Sequence, residues 1–302
     1  MPASNRARMS PARVLGLTVL AMLAFAGNSL LCRMALKQSA IDAASFTTVR
    51  LLAGAAALAL ILRLSGGGGK SAGDWPSAAA LFVYAAGFSW AYVSLPAGTG
   101  ALLLFGAVQV TMIGYGLWRG ERLRPAQTLG LLAACGGLIV MLLPGVHAPS
   151  LRGSMLMLCA GVAWGVYSLR GRGAGNPLGV TAGNFWRACV MTLAMSALLL
   201  RSAELDVAGV AYAVAAGALT SGVGYAIWYT AIRGLAATSA ASVQLTVPVI
   251  AALGAIVLLG ESITWRLVVT SAIVLGGVAL VIVNRPPPAT DIQRCSNGIP
   301  TK

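Results

Sequence analysis

Apolar residues run along this chain in long blocks, broken by short polar or glycine- and proline-bearing stretches. A helix needs about 20 mostly apolar residues to cross the hydrocarbon core of a bilayer. Ten blocks have roughly that length: 14–36, 43–64, 76–94, 99–118, 125–143, 153–169, 178–200, 208–231, 236–259 and 265–283. The interruptions carry turn signals. Ser65–Lys70 holds a glycine run, Leu95-Pro96 and Pro144-Gly145 are turns, and Arg285 followed by Pro286, Pro287 and Pro288 stops the last block. The pattern predicts an all-α membrane protein of ten transmembrane helices, with a short segment before it (residues 1–13) and a polar tail after it (284–302).

Composition sharpens this. Hydrophobic residues make up 58% and charged residues only 9%, against about 25% charged in a soluble domain. So few charges cannot cover a water-facing surface, which excludes a soluble enzyme or free binding module. The net charge of +14 raises nucleic acid as a partner. The basic residues punctuate apolar blocks instead of forming a patch, so no nucleic-acid partner is expected. Cys32, Cys135, Cys159, Cys189 and Cys295 are odd in number and lack a C-x-x-C spacing. That argues against a disulfide framework and a zinc site. His147 is the single histidine, so no His-rich metal site is expected. Arg6, Arg8 and Arg13 before an apolar run, with Ala24-Phe25-Ala26, mimic a signal peptide, but the run continues through Leu30-Leu31. An uncleaved first helix is expected.

Loop charges give an orientation. Fourteen of the 21 Lys and Arg fall on one side, five on the other (Arg33, Lys37, Arg152, Arg201 and Arg266), and Arg50 and Arg187 lie inside blocks. The bias places both termini in the cytoplasm.

The second half echoes the first. Leu95, Ala97, Ala101, Gly114, Gly120, Glu121, Gly136 and Gly137 recur 140 residues later as Leu235, Ala237, Ala241, Gly254, Gly260, Glu261, Gly276 and Gly277. Ala24-Phe25 and Ser29 match Ala163-Trp164 and Ser168, and Arg50 matches Arg187. Five blocks per repeat is an odd number, so the halves 14–143 and 153–283, joined by the loop 144–152, must insert with opposite orientation. Inverted repeats that rock around a shared central cavity are an architecture of secondary transporters.

Polar side chains inside the bilayer are costly and mark cavities or interhelical hydrogen bonds. Asn28, Ser29, Gln109, Asn184 and Gln244 are the candidates. Arg50 and Arg187 could each clamp a carboxylate, or else snorkel or cap carbonyls. Trp75, Trp118 and Trp265 sit near block ends as interfacial anchors. Tyr84, Trp90, Trp164, Tyr167, Trp186, Tyr225, Trp228 and Tyr229 lie deeper and could stack on a flat ligand. Trp164 stands out because Gly161 and Gly165 leave space beside it. The substrate-binding set expected from sequence is Trp164, Tyr84, Asn28, Ser29, Trp90, Gln109, Asn184, Gln244, Tyr225, Arg50 and Arg187.

No carboxylate lies in the middle of a block, which disfavours a built-in proton relay. Glu121 and Glu261, at block ends, are expected to pair with Arg122 and Arg266 or to orient a loop. Gly66–Ser71 imitates a phosphate-binding loop, but Leu64 stands where that motif needs glycine. Neither ATP nor another cofactor is expected.

Gly120-Glu121 and Gly260-Glu261, Pro248, and the Gly-Gly pairs that follow resemble the drug/metabolite transporter superfamily, EamA type, over residues 14–283. Within it the run of residues is similar to the aromatic amino acid exporters. One departure is Val108, which stands where the second half has Pro248, so a proline break is expected on one side only. The resemblance implies a monomeric, multi-pass carrier in a bacterial inner membrane that exports amino acids, chiefly aromatic, and related metabolites. The rival readings are an exporter of other metabolites or drugs, a channel, and a membrane-embedded enzyme.

Overall fold

A computed structural model describes residues 9–65, 73–145, 148–171, 175–235 and 237–284. Arg6, Arg8, the glycine run 66–69 with Lys70 and Ser71, His147, Cys295 and the tail from Arg285 lie outside the described residues. The described chain is helical, with no strand among these residues. Its helices are α1 (Pro11–Gln38), α2 (Ala43–Leu64), α3 (Trp75–Ser94), α4 (Ala97–Trp118), α5 (Pro125–Leu142), α6 (Leu151–Arg170), α7 (Pro177–Leu198), α8 (Val207–Ala215), α9 (Gly224–Ala231), α10 (Ala237–Gln244), α11 (Thr246–Leu259) and α12 (Trp265–Val283). Short polar side chains start them. Asp42, Asp74, Ser150, Asn176, Asp206 and Thr264 each accept a backbone N–H of the first turn, satisfying donors the helix itself cannot pair.

Two departures from regular winding matter. The residues Ala216–Val223 between α8 and α9 form a π-helical turn, in which Ser221 Oγ donates to Ala216 O (3.0 Å). Between α10 and α11 the chain turns at Leu245, three residues before Pro248. A proline has no N–H and its ring clashes with the carbonyl four residues back, here that of Gln244. Val108 takes the proline's place in α4, which runs unbroken.

Among the described residues, eight helical stretches are long and apolar enough to cross a membrane: α1 to α5, Val207–Gly234, Ser239–Leu259 and α12. Helices α6 and α7 have 20 and 22 residues but are more polar. Large apolar side chains such as Leu15, Leu129, Ile139, Val190 and Val257 are exposed on the outer faces. Water does not tolerate such a surface, whereas lipid does.

Small residues set the packing. Helix α5 lies along α12, α3 along α6, α2 along α7 and the π turn, and α4 along α6 and α11. A Cβ on Gly130 would strike Gly277 O, and one on Gly277 would strike Gly130 O, so α5 and α12 meet backbone to backbone. Gly161 and Gly165 do leave room beside Trp164, but α4 fills it with Leu104 O, Ala107 and Thr111.

One end of the bundle gathers the starts of α2, α4 and α8 with the ends of α1, α3 and α11. The opposite end of α3, 20 residues away, is tied to the end of α6 by Asp74–Arg170 (2.9 Å). At the first end Asp42 Oδ1 accepts from Ala44 and Ser45 N–H (2.8 and 3.0 Å), and Oδ2 accepts from Glu204 N–H (2.9 Å). Burial pushes the Asp42 carboxyl up, but these hydrogen bonds outweigh it and hold the group below its ordinary value. A carboxyl lowered on folding adds stability that is present above its unfolded value, about 4, and lost as pH falls through the folded one. Asp42→Asn is therefore expected to flatten the acid side of the melting profile between about pH 5 and pH 3. Thermal melts in detergent across that range check it; an unchanged slope removes Asp42 from the account.

Candidate functional site

A cavity of about 370 Å³ lies among α1, α3, α4, α6, the π turn, α9 and α10. That is at the small end for ligand cavities. Nine of its 21 lining residues are aromatic. Trp164 is stacked on Tyr225 (centroids 5.6 Å apart, planes at 17°) and on Tyr167 (5.2 Å, 28°). Tyr84 approaches it at 4.7 Å with a tilt of 45°. Phe25 meets Tyr225 and Trp228, both at 5.9 Å. Such a box offers both π-faces and ring edges to a flat ligand.

Polar groups are few, and each has a source in the winding of its helix. Asn28 and Ser29 come from the middle of α1, and Thr220 and Ser221 from the π turn. Gln244 comes from the break that Pro248 imposes. Asn28 Nδ2 donates to the Tyr84 hydroxyl (3.2 Å), while Thr220 Oγ1 donates to Asn28 Oδ1 (3.4 Å). Thr181 and Tyr229 share a hydrogen bond of 3.0 Å. No charged side chain is among the lining residues described.

Of the residues expected from sequence, Trp164, Tyr84, Asn28, Ser29, Gln244 and Tyr225 line this cavity. The others do not. Trp90 is half-buried on α3 and Gln109 is buried in α4. Asn184 Oδ1 accepts from the Asp74 backbone N–H (3.0 Å), anchoring the start of α3. Arg187 donates to Gly183 O of its own helix (3.0 Å). Arg50 sits one layer behind the wall: it is 1% exposed and donates to the Tyr84 hydroxyl (3.1 Å). Phe25, Phe88, Phe105 and Met112 also line the cavity, and sequence reasoning missed them. Nothing in their local sequence separates them from ordinary core residues.

The cavity reaches Gly171, Pro177 and Ile232, which lie where α6 ends, α7 begins and α9 ends. The other end of the bundle is knotted. Arg33 Nε and Glu261 Oε1 pair at 2.9 Å, their side chains 11% and 9% exposed. Arg33 Nη1 also donates to the carbonyls of Tyr92 (2.8 Å) and Val93 (3.0 Å). Glu261 Oε2 accepts from Ala97 N–H (2.8 Å), satisfying the open start of α4. The expected partner, Arg266, instead donates to the carbonyls of Met141, Leu143 and Pro144 at the end of α5. Gly260 adopts φ +62° and Gly120 φ +89°, left-handed turns that end α11 and α4 and aim the glutamate after each. Glycine accepts that conformation without a Cβ clash. Glu121 is exposed at its own turn, whereas Glu261 is drawn into the bundle.

Comparison with known proteins adds to this geometry. Residues 151–283 match the model of the EamA-like transporter family. An uncharacterized protein of Pseudomonas aeruginosa, PA1977, is 59% identical over 282 residues, which cover 92% of this chain and 97% of that one. A protein of Streptantibioticus cattleyicolor named "probable terminal-alkyne amino-acid exporter" is 31% identical over 199 residues, 64% of this chain and 66% of its own length. A crystal structure with 20% sequence identity superposes with a TM-score of 0.64, covering 91% of this chain and 99% of the other; that likeness speaks to the fold alone.

Proposed function

Because the chain belongs to the EamA-like transporter family and is a multi-pass membrane protein, we propose that it is an inner-membrane carrier exporting amino acids, aromatic ones preferred, and related metabolites. It works by alternating access between two inverted five-helix halves, without ATP. The observation that carries this reading is the aromatic-rich cavity lined from both halves and reaching one end of the bundle, with the Arg33–Glu261 pair at the other end.

Several features support the details. Both halves contribute to the wall, α1, α3 and α4 from the first and α6, the π turn, α9 and α10 from the second. The packing has a two-fold character: α2 lies along α7, α5 along α12 and α4 along α11, each a block against its repeat counterpart. The α3–α6 contact likewise has its counterpart in α1 against α8, the π turn and α9. The two Gly-Glu turns end equivalent helices. Loop charge supports a cytoplasmic position for the termini and for the end the cavity reaches; on that reading this form would load solute from inside. A name ending in amino-acid exporter on a relative fits the substrate class. The set Trp164, Tyr84, Asn28, Ser29, Gln244 and Tyr225 is proposed to contact the solute, with Arg50 acting from behind.

The test is flux through liposomes that contain only this protein. Labelled tryptophan and phenylalanine are expected to move down their gradients, saturably and without ATP or a pH difference, faster than threonine or methionine. If none of the four moves, the amino acid reading falls.

A further inference from the structure

Arg50 is the most deeply buried charge among the described residues, and no carboxylate there pairs with it. Its Nε and Nη1 have no hydrogen-bond partner among the described residues. Its guanidinium carbon lies 4.9 Å from the Phe88 ring centroid and 5.5 Å from that of Tyr84. Phe88 and Tyr84 are wall residues of the cavity, so an unbalanced positive charge stands one ring behind it. The backbone here is fixed, since a Cβ on Gly217 of the π turn would strike Arg50 O. A buried charge without a counter-charge is strongly unfavourable. The repeat counterpart Arg187 escapes that cost by being partly exposed and bonded to its own helix.

The Tyr84 hydroxyl completes the picture. A phenol oxygen has two acceptor sites and one hydrogen to donate. Arg50 Nη2 (3.1 Å) and Asn28 Nδ2 (3.2 Å) occupy the two acceptor sites. The remaining O–H has no acceptor among the described residues, and Tyr84 lines the cavity. Two donors, one of them cationic, polarise that O–H.

We infer that the cavity recognises the carboxylate of its ligand, with the Tyr84 hydroxyl as the contact and Arg50 as the positioning residue that supplies the missing counter-charge. The inference deepens the export reading and rests on it for the location of the site. The ligand's other end, its side chain, faces the aromatic part of the wall around Trp164 and Tyr225.

Calorimetric titration of the purified full chain tests this with two pairs of ligands: phenylalanine against phenylalaninamide, and 3-phenylpropanoate against 3-phenylpropanamide. The carboxylate is expected to bind about tenfold or more tightly than the amide in both pairs, as a charge-assisted hydrogen bond implies. Tyr84→Phe keeps the ring and is expected to bring both ratios to within about threefold of one, with little change in amide affinity. Arg50→Lys should retain part of the preference and Arg50→Met should lose it. Should Arg50→Met fail to fold, Tyr84→Phe alone decides. Equal binding of carboxylate and amide, an unchanged ratio in Tyr84→Phe, or no binding of any of the four overturns the inference. Carboxylate preference without phenylalanine flux would remove the amino acid reading alone; flux without the preference would remove this inference alone.

Discussion

Glu261→Gln is expected to lower net transport by about tenfold or more, and to make Cys32 reactive toward a water-soluble maleimide. Arg33 and Glu261 are each about nine-tenths buried, and the carboxylate also holds Ala97 N–H. Breaking a buried ion pair by removing one charge costs about 3–5 kcal/mol, less where some exposure remains. On the proposed alternating-access cycle, the cost falls on one conformer only, the one in which the ends of α1, α3 and α11 and the start of α4 are drawn together. A penalty of about 2–3 kcal/mol to that conformer shifts a two-state equilibrium by about 30- to 150-fold. A carrier held open at one end exchanges solute poorly across the membrane. Cys32 is a natural reporter, since it is fully buried and adjoins Arg33. With the other cysteines replaced, its alkylation rate in Glu261→Gln should rise at least about tenfold. Exchanging the pair as Arg33→Glu with Glu261→Arg should recover part of the protection. Glu121→Gln is the control, because Glu121 is exposed and holds no ion pair among the described residues. If Cys32 in Glu261→Gln stays as inert as in the parent chain, the knot is mere packing.

The helices were legible in the sequence for a plain reason. A chain in lipid must satisfy every backbone polar group within its own helix, so eight stretches announce themselves by length and hydrophobicity, whereas α6 and α7, also expected as spans, are helical but less apolar. The break before Pro248 was legible too, because proline removes a specific hydrogen bond. The π turn was not. Its register change starts at Ala216, where Gly217 and Gly222 let α2 come close. The cavity was half legible. Tyr84, Trp164 and Tyr225 could be picked out as large and amphipathic. Phe25, Phe88 and Phe105 could not, since apolar residues cover these helices all round and no polar face reveals which side turns inward. Pairing across the fold was the least legible. Glu261 finds Arg33, 228 residues away, and leaves its neighbour Arg266 to the carbonyls closing α5. Arg50 and Arg187 look equivalent in sequence, yet one is sealed behind the wall and the other bonds its own helix.

Trp164→Ala should separate aromatic from small solutes. Trp164 contacts three aromatic rings of the cavity wall, Tyr84, Tyr167 and Tyr225. Its loss removes the surface on which a flat solute would lie, so the ligand forfeits stacking of about 0.5–1.5 kcal/mol. It also forfeits apolar burial worth about 1–2 kcal/mol more. Together these correspond to about 10- to 300-fold in transport efficiency for tryptophan and phenylalanine. Threonine, which has no ring, loses only enclosure, and a fall of about threefold or less is expected. The expected result is thus a change in the ratio, read from kcat/KM in liposomes for each solute. Trp164→Phe keeps a ring in place and should recover most of the aromatic preference. Folding does not confound the ratio, since a poorly packed protein lowers every flux alike. An equal loss for all solutes would make Trp164 a packing residue that happens to face the cavity, and the aromatic preference would then need another origin.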